Sequence, residues 1–508
     1  MTESTASEDV TEVDLDDIQG NVVGFSKDHQ RLLFIQFPNA ATGRAFAAAM
    51  AAEVSSARLV RDFNRLRKDF QSHNADPTTL NVSWSNVGLS FAGLHMLGAD
   101  GADAFPDEFK AGMAARASSV GDVDTSAPTN WVGAFAPNSG FVVHAVVVVA
   151  ADSPSLLDER TASVRAIITQ AGVTEYSTPQ DGQTRPGDFR GHEHFGFKDG
   201  ISQPSVAGLV SSSKGGEEIA VGEFLIGYED QDGHVSGQPV PAVPPAAAPP
   251  AQPPGYLPTT APSPTAAPLP DWCRNGSFLV YRRLRQDVAG FNNFLTTKVP
   301  SSAPSADALG AKLVGRWKSG APLENVPGDG GVDTTTADPS VANPDVLSDD
   351  HINDFGYLEH DADGHLTPRA AHIRKTYPRD SMPPGREESD RHRVLRRGIP
   401  YGPEFVPNEP AYGAGAVPDA QDRGLLFLCY QASIARGFEF IQTQWANVPD
   451  FPNAGDGEDP IMAQNNAAPP FALNQNTHLT TARWVITTGG EYFFSPSIAG
   501  LRHLGDLT

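Results

Sequence analysis

One order of elements occurs twice along this chain: an apolar strand-length run, a long helix-patterned stretch, then a later, more apolar strand with its own helix. In the first half, Leu32-Leu33-Phe34-Ile35-Gln36-Phe37 opens the pattern, and an Ala-rich helical stretch follows from about Thr42 to Phe70. Leu80 to Trp84 reads as a second strand and Ser90 to Leu97 as a short helix. Continuous valine in Phe141 to Val149 predicts a strand covered on both faces, and Ser153 before Pro154 caps a helix reaching Ala171. In the second half Gly276 to Tyr281 is a strand, and Asp287 to Thr296 and Ala306 to Trp317 are helical. Gly424 to Tyr430 is a central strand, and a helix follows from about Ala435 to Trp445. A chain ordered this way folds as α+β, in two units that each carry an antiparallel sheet with helices on one face.

The remaining text separates these units. Residues 1–16 are polar and acidic and read as a disordered tail. The first unit spans 17–205, a connecting segment 206–275 holds a Pro- and Ala-dominated insertion at 238–270, and the second unit spans 276–508. Proline removes backbone donors and favours an extended chain, so the insertion is expected outside both sheets. Pro322 to Asp350 is expected to be a long surface loop.

Charge narrows the function classes. With 37 Lys+Arg against 61 Asp+Glu the net charge is −24, a surface that repels nucleic-acid backbones and anionic lipid. Only Cys273 and Cys429 are present, both in apolar, strand-like text, so neither a disulfide framework nor a CxxC metal site is expected. No secretory leader is visible, and no apolar run approaches the ~20 residues that span a bilayer. A cytoplasmic protein is the default reading, with export by another route left open.

Three segments carry chemistry. In Gly196-Phe197-Lys198-Asp199-Gly200-Ile201-Ser202-Gln203-Pro204 one carboxylate stands between two glycines, which let the backbone approach a flat ligand closely and turn away. A Gly-Asp surface turn is the alternative for that segment alone. In Ala371-His372-Ile373-Arg374-Lys375-Thr376-Tyr377-Pro378-Arg379 a histidine sits beside three cations. A haem needs cationic or donor partners for its two propionates, and an iron-bound imidazole needs an acceptor for its other N–H. Arg374 is the expected cofactor contact, and Asp459 in Glu458-Asp459-Pro460-Ile461 the expected acceptor. In Arg393-Val394-Leu395-Arg396-Arg397-Gly398-Ile399-Pro400-Tyr401-Gly402 an arginine pair abuts a rigid turn, and a buried guanidinium stays charged and can stabilise a developing oxyanion. Taken alone, that segment also fits a basic surface strand.

Together and in this order the three segments resemble those of the dye-decolorizing peroxidases. Gly196-Phe197-Lys198-Asp199-Gly200 matches that family's GxxDG motif, His372 its proximal iron ligand and Arg396 its distal arginine. Asp17-Ile18-Gln19-Gly20-Asn21 and Gly424 to Gln431 are also similar, so the resemblance covers nearly the whole chain, most closely to the larger actinobacterial and fungal members. It departs at the Pro-rich insertion and at Gly398, where some smaller relatives carry an Asn.

The resemblance implies a pair of ferredoxin-like units of the dimeric α+β barrel type, with haem held mainly by the second. It implies one haem b per chain, bound by His372, with hydrogen peroxide and aromatic electron donors as reactants. Asp199 would move a proton between the peroxide oxygens, and Arg396 would stabilise the departing charge. Leu425 and Phe427 are expected to line the distal pocket, and Tyr401 and Trp445 to serve as surface relays for bulky dyes. A haem-binding or haem-delivery protein with little turnover is the alternative; such a carrier has no need of Asp199 and Arg396 together.

Overall fold

The structure, a computed structural model, describes residues 12–73, 80–210, 218–239, 267–300, 303–324, 337–382, 385–406 and 421–508. Most of the acidic tail, 240–266 of the Pro-rich insertion and 325–336 of the second expected loop therefore lie outside the described residues.

Ten strands form one sheet. The first unit supplies β1 (His29–Gln36), β2 (Ser83–Leu89), β3 (Ala145–Ala151), β4 (Thr174–Glu175) and β5 (Gln180–Gln183). The second supplies β6 (Ser277–Gln286), β7 (Leu395–Arg396), β8 (Ile399–Tyr401), β9 (Gly424–Gln431) and β10 (Val485–Ser495). The order along the sheet is β8-β9-β6-β10-β2-β3-β1-β4, with β5 on β1 and β7 on β9. Each half thus repeats one ferredoxin-like arrangement, its first and third strands in the middle and its second and fourth outside. The halves join where β10 meets β2, at Phe494 opposite Leu89, so the two expected sheets are continuous.

Alternation explains the valine run. Val147 and Val149 enter one core with Phe46, Met50, Val164 and Ile168. Val146 and Val148 enter a second core with Ile18, Val22, Tyr281 and Leu428. Side chains on a strand point alternately to its two faces, and here both faces are covered, so every residue of β3 is buried.

Helices pack on both faces rather than one: Phe46 and Met50 of Ala40–Glu53 enter the first core, and Ala57 and Val60 of Ala57–Ser72 enter the second. The long helical pattern after β1 is two helices, α1 (Ala40–Glu53) and α2 (Ala57–Ser72). The break falls at Val54, which is extended, and at Ser55, whose N–H donates to Ser85 O on β2 at 2.9 Å. Pairing with the sheet there outweighs helix continuation. Helix α3 (Pro154–Ala171) starts as expected on Ser153, whose side chain accepts from Leu156 N. The second unit adds α4 (Val288–Thr297), α5 (Ala306–Val314) and the short α6 (His372–Thr376). No helix among the described residues is long and apolar enough to cross a membrane.

Candidate active site

His372 opens α6 and lines a cavity beside the second unit's sheet. Its Nδ1 lies 2.8 Å from Oδ2 of Asp459, which is fully buried. Asp459 Oδ1 accepts from the Ile461 and Met462 N–H groups, each at 2.8 Å. Both carboxylate oxygens are therefore fixed, the imidazole is held through Nδ1, and Nε2 is the nitrogen left for a ligand. Burial works against protonation of His372, but the charge of Asp459 and its hydrogen bond outweigh it and raise the pKa.

Asp199 and Arg396 face the same cavity. Arg396 Nη1 donates to Asp199 Oδ1 at 2.8 Å, and Gly200 N donates to the same oxygen at 2.6 Å. Gly200 has φ +74°, a conformation that favours glycine. The loop is braced from both ends. Glu193 accepts from Phe195 N and Phe197 N at 2.8 and 2.9 Å. Gln203 accepts from Arg396 N and donates to Arg396 O, both at 3.2 Å. Arg396 is in turn paired through β7 with Cys429 of β9. The Asp199–Arg396 side chains are about one-third exposed, at 34% and 32%. Such a pair adds only about 0–1 kcal/mol to stability, so folding alone gives little reason for so much bracing.

Leu425 and Phe427 line the cavity from β9. Arg316, Arg379 and Arg393 also line it, and among the described residues none of them forms an ion pair. Arg316 donates to Gly320 O, Ile352 O and Asn353 Oδ1, and burial pushes its pKa down to about 9, with Arg379 and Arg396 adding to the effect. Among the described residues, Arg379 donates from its side chain to neutral oxygens of Tyr357, Tyr377 and Ser202 and lies over the Phe355 ring at 4.2 Å. Its backbone is left-handed, at φ +55°, a conformation a non-glycine residue adopts at a cost. An apolar cavity with a histidine nitrogen on its wall and three cations lacking carboxylate partners fits haem, whose propionates supply the missing anions.

Three expectations need correction. Arg374 does not line the cavity. It is 1% exposed, donates to Asp361 O and Oδ2 and to Thr367 O, and lies 4.2 Å over the Tyr357 ring. Two residues along a helix turn about 200°, so His372 and Arg374 point to opposite sides of α6. Arg379 and Arg393 occupy the cavity wall instead; both stand in or beside the segments that carry the motif. Neither Tyr401 nor Trp445 is on the surface. Tyr401 is 3% exposed, because β8 pairs it with Gly424 while Arg283 covers its ring at 4.3 Å, and its hydroxyl donates to Asp422 Oδ1 at 3.1 Å. Trp445 is 1% exposed and packs against Phe451 and Phe440.

The fold and this cavity define a two-unit α+β barrel protein with a histidine–carboxylate pair and an arginine–aspartate pair on one ligand pocket. Residues 17–186 match the model of the DyP dimeric alpha+beta barrel domain, and 265–453 that of the Dyp-type peroxidase C-terminal domain. A dye-decolorizing peroxidase of Exidia glandulosa is 33% identical over 511 residues, covering 97% of this chain and 87% of that protein. The structure of an ancestral D-type dye decolorizing peroxidase superposes with a TM-score of 0.78 at 33% identity, covering 98% of this chain and all of that one. A dye-decolorizing peroxidase solved with 2,6-dimethoxyphenol gives 0.75 at 31% identity, covering 97% of this chain and all of that one. The chain belongs to the dye-decolorizing peroxidases and is a peroxidase.

Proposed function

We propose that the cavity holds one b-type haem through His372 Nε2, and that the protein uses hydrogen peroxide to oxidise dyes and phenolic donors in one-electron steps. The observation that carries this reading is the Asp199–Arg396 pair, braced on the same cavity as the Asp459-held imidazole. Arg316, Arg379 and Arg393 would hold the propionates. Haem, when bound, supplies the iron at which peroxide is cleaved and the oxidising equivalents that donors remove. The chain's own residues manage protons and charge. Asp199 Oδ1 is occupied by Arg396 and Gly200 N, so Oδ2 is the atom that accepts the peroxide proton and returns it to the leaving oxygen. The Arg396 guanidinium offsets the negative charge on that oxygen. The phenolic donor class is supported by the relative solved with 2,6-dimethoxyphenol. The haem-loaded protein should oxidise 2,6-dimethoxyphenol only when peroxide is added. Haem binding without peroxide-dependent turnover would contradict the reading.

A charged acceptor on Nδ1 makes His372 a stronger electron donor to the metal. Asp459→Asn keeps an acceptor but removes the charge, so the iron reduction potential should rise and peroxide cleavage should slow. A spectroelectrochemical titration checks this, and an unmoved potential would show that the Asp459 charge does not act through the ring.

A further inference from the structure

Tyr377 lines the same cavity as His372, Asp199 and Arg396, yet peroxide cleavage as derived above makes no use of it. It follows α6 directly, its N–H donating to Ile373 O, so its backbone is tied to the helix that carries His372. Its hydroxyl donates to Asp390 Oδ1 at 2.5 Å, and Asp390 is 3% exposed. The Arg393 guanidinium lies 3.8 Å over the ring, and that of Arg379 lies 4.6 Å away.

These contacts decide how such a ring can lose an electron. Oxidation without proton loss would create a strongly acidic radical cation, and the guanidinium groups on the ring offer it no countercharge. The electron can leave readily only with the phenolic proton, and Asp390 Oδ1 is the atom placed to take it. A phenol bonded only to a neutral acceptor would have no such outlet.

We propose that Tyr377 is a redox-active residue of this peroxidase, giving one electron to the peroxide-oxidised cofactor and its phenolic proton to Asp390 Oδ1. The O–H bond of Tyr377 breaks and an O–H bond forms on Asp390. The tyrosine is oxidised by one electron and the cofactor is reduced by one, leaving a neutral phenoxyl radical beside a neutral carboxyl. An electron from an aromatic donor, with the proton returning from Asp390, restores the pair. Tyr377 would thus offer donors a second place to deliver electrons, inside the cavity rather than at Tyr401 or Trp445. The proposal rests on the peroxidase reading, because peroxide supplies the oxidising equivalents.

The test uses the haem-loaded full-length protein mixed with peroxide in the absence of donor, freeze-quenched and examined by electron paramagnetic resonance. Wild type should give a tyrosyl signal that narrows when the protein carries ring-deuterated tyrosine, and whose appearance slows in deuterated water. Tyr377→Phe should lose that signal. Asp390→Asn should lose it with the ring still present, and Asp390→Glu should restore it, a rescue that a merely structural role does not predict. A tyrosyl signal undiminished in Tyr377→Phe, or peroxide consumed by wild type with no tyrosyl signal, would overturn the proposal. A full signal in Asp390→Asn would overturn the role of Asp390 as proton acceptor. If wild type does not consume peroxide at all, the peroxidase reading itself fails and the proposal fails with it.

Discussion

Replacing Arg396 by leucine is expected to slow the reaction with peroxide by about 10²-fold or more, the scale seen when a fixed oxyanion partner is removed. The guanidinium lines the cavity and donates to Asp199 at 2.8 Å. Among the described residues it is also the cation bonded to Asp199, the acid proposed to carry the proton, so its removal takes both the countercharge and the restraint on Asp199. Asp199→Asn should also slow the step by roughly 10²-fold, the range for a lost general acid–base group. Of the two, Arg396 should be the more damaging, because water can relay a proton but cannot replace a fixed charge. Neither change should unfold the protein, since a partly exposed pair contributes about 0–1 kcal/mol. Stopped-flow rates normalised to haem content check this, and wild-type rates in both variants would mean that peroxide is cleaved without them.

His372→Ala should abolish or severely weaken haem binding. The substitution removes the imidazole and also leaves Asp459 Oδ2 buried without the partner it has at 2.8 Å. An unsatisfied buried acceptor costs about 1–3 kcal/mol, so some instability is expected as well. His372→Gln separates the two effects, because its amide can still donate toward Asp459 while the imidazole proposed to bind iron is gone. Both variants should lose the Soret band of the wild type. An unchanged Soret band in either would remove His372 from the cofactor.

Much of this was legible in the sequence, for reasons that differ by residue. Asp199, His372 and Arg396 stand in segments whose local chemistry suggests a role, and the sheet brings those segments to one cavity. The valine run reads as a doubly covered strand because alternation is a local property. Direction was harder. Arg374 and Arg379 lie in one short segment, but which of them faces the cavity depends on where α6 ends and on the left-handed backbone at Arg379. No spacing rule reveals that. Trp445 falls in a stretch expected to be an α-helix, but Ile441–Ala446 winds with the wider π-helical repeat. That repeat changes which face each residue takes, and Trp445 ends in the core. One omission was β10, which forms the seam between the units. A register shift between Thr487 and Gly490 interrupts its pairing with β6, and the Gly489-Gly490 step dilutes the strand pattern.

The most direct test of a peroxide-reactive haem in this cavity is the visible absorption spectrum of the purified, haem-loaded protein before and after one equivalent of hydrogen peroxide. The Soret band should diminish and shift within the mixing time, then return when 2,6-dimethoxyphenol is added. A Soret band that does not respond to peroxide, or none at all after incubation with haemin, would contradict the assignment of His372, Asp199 and Arg396 to a working peroxidase site.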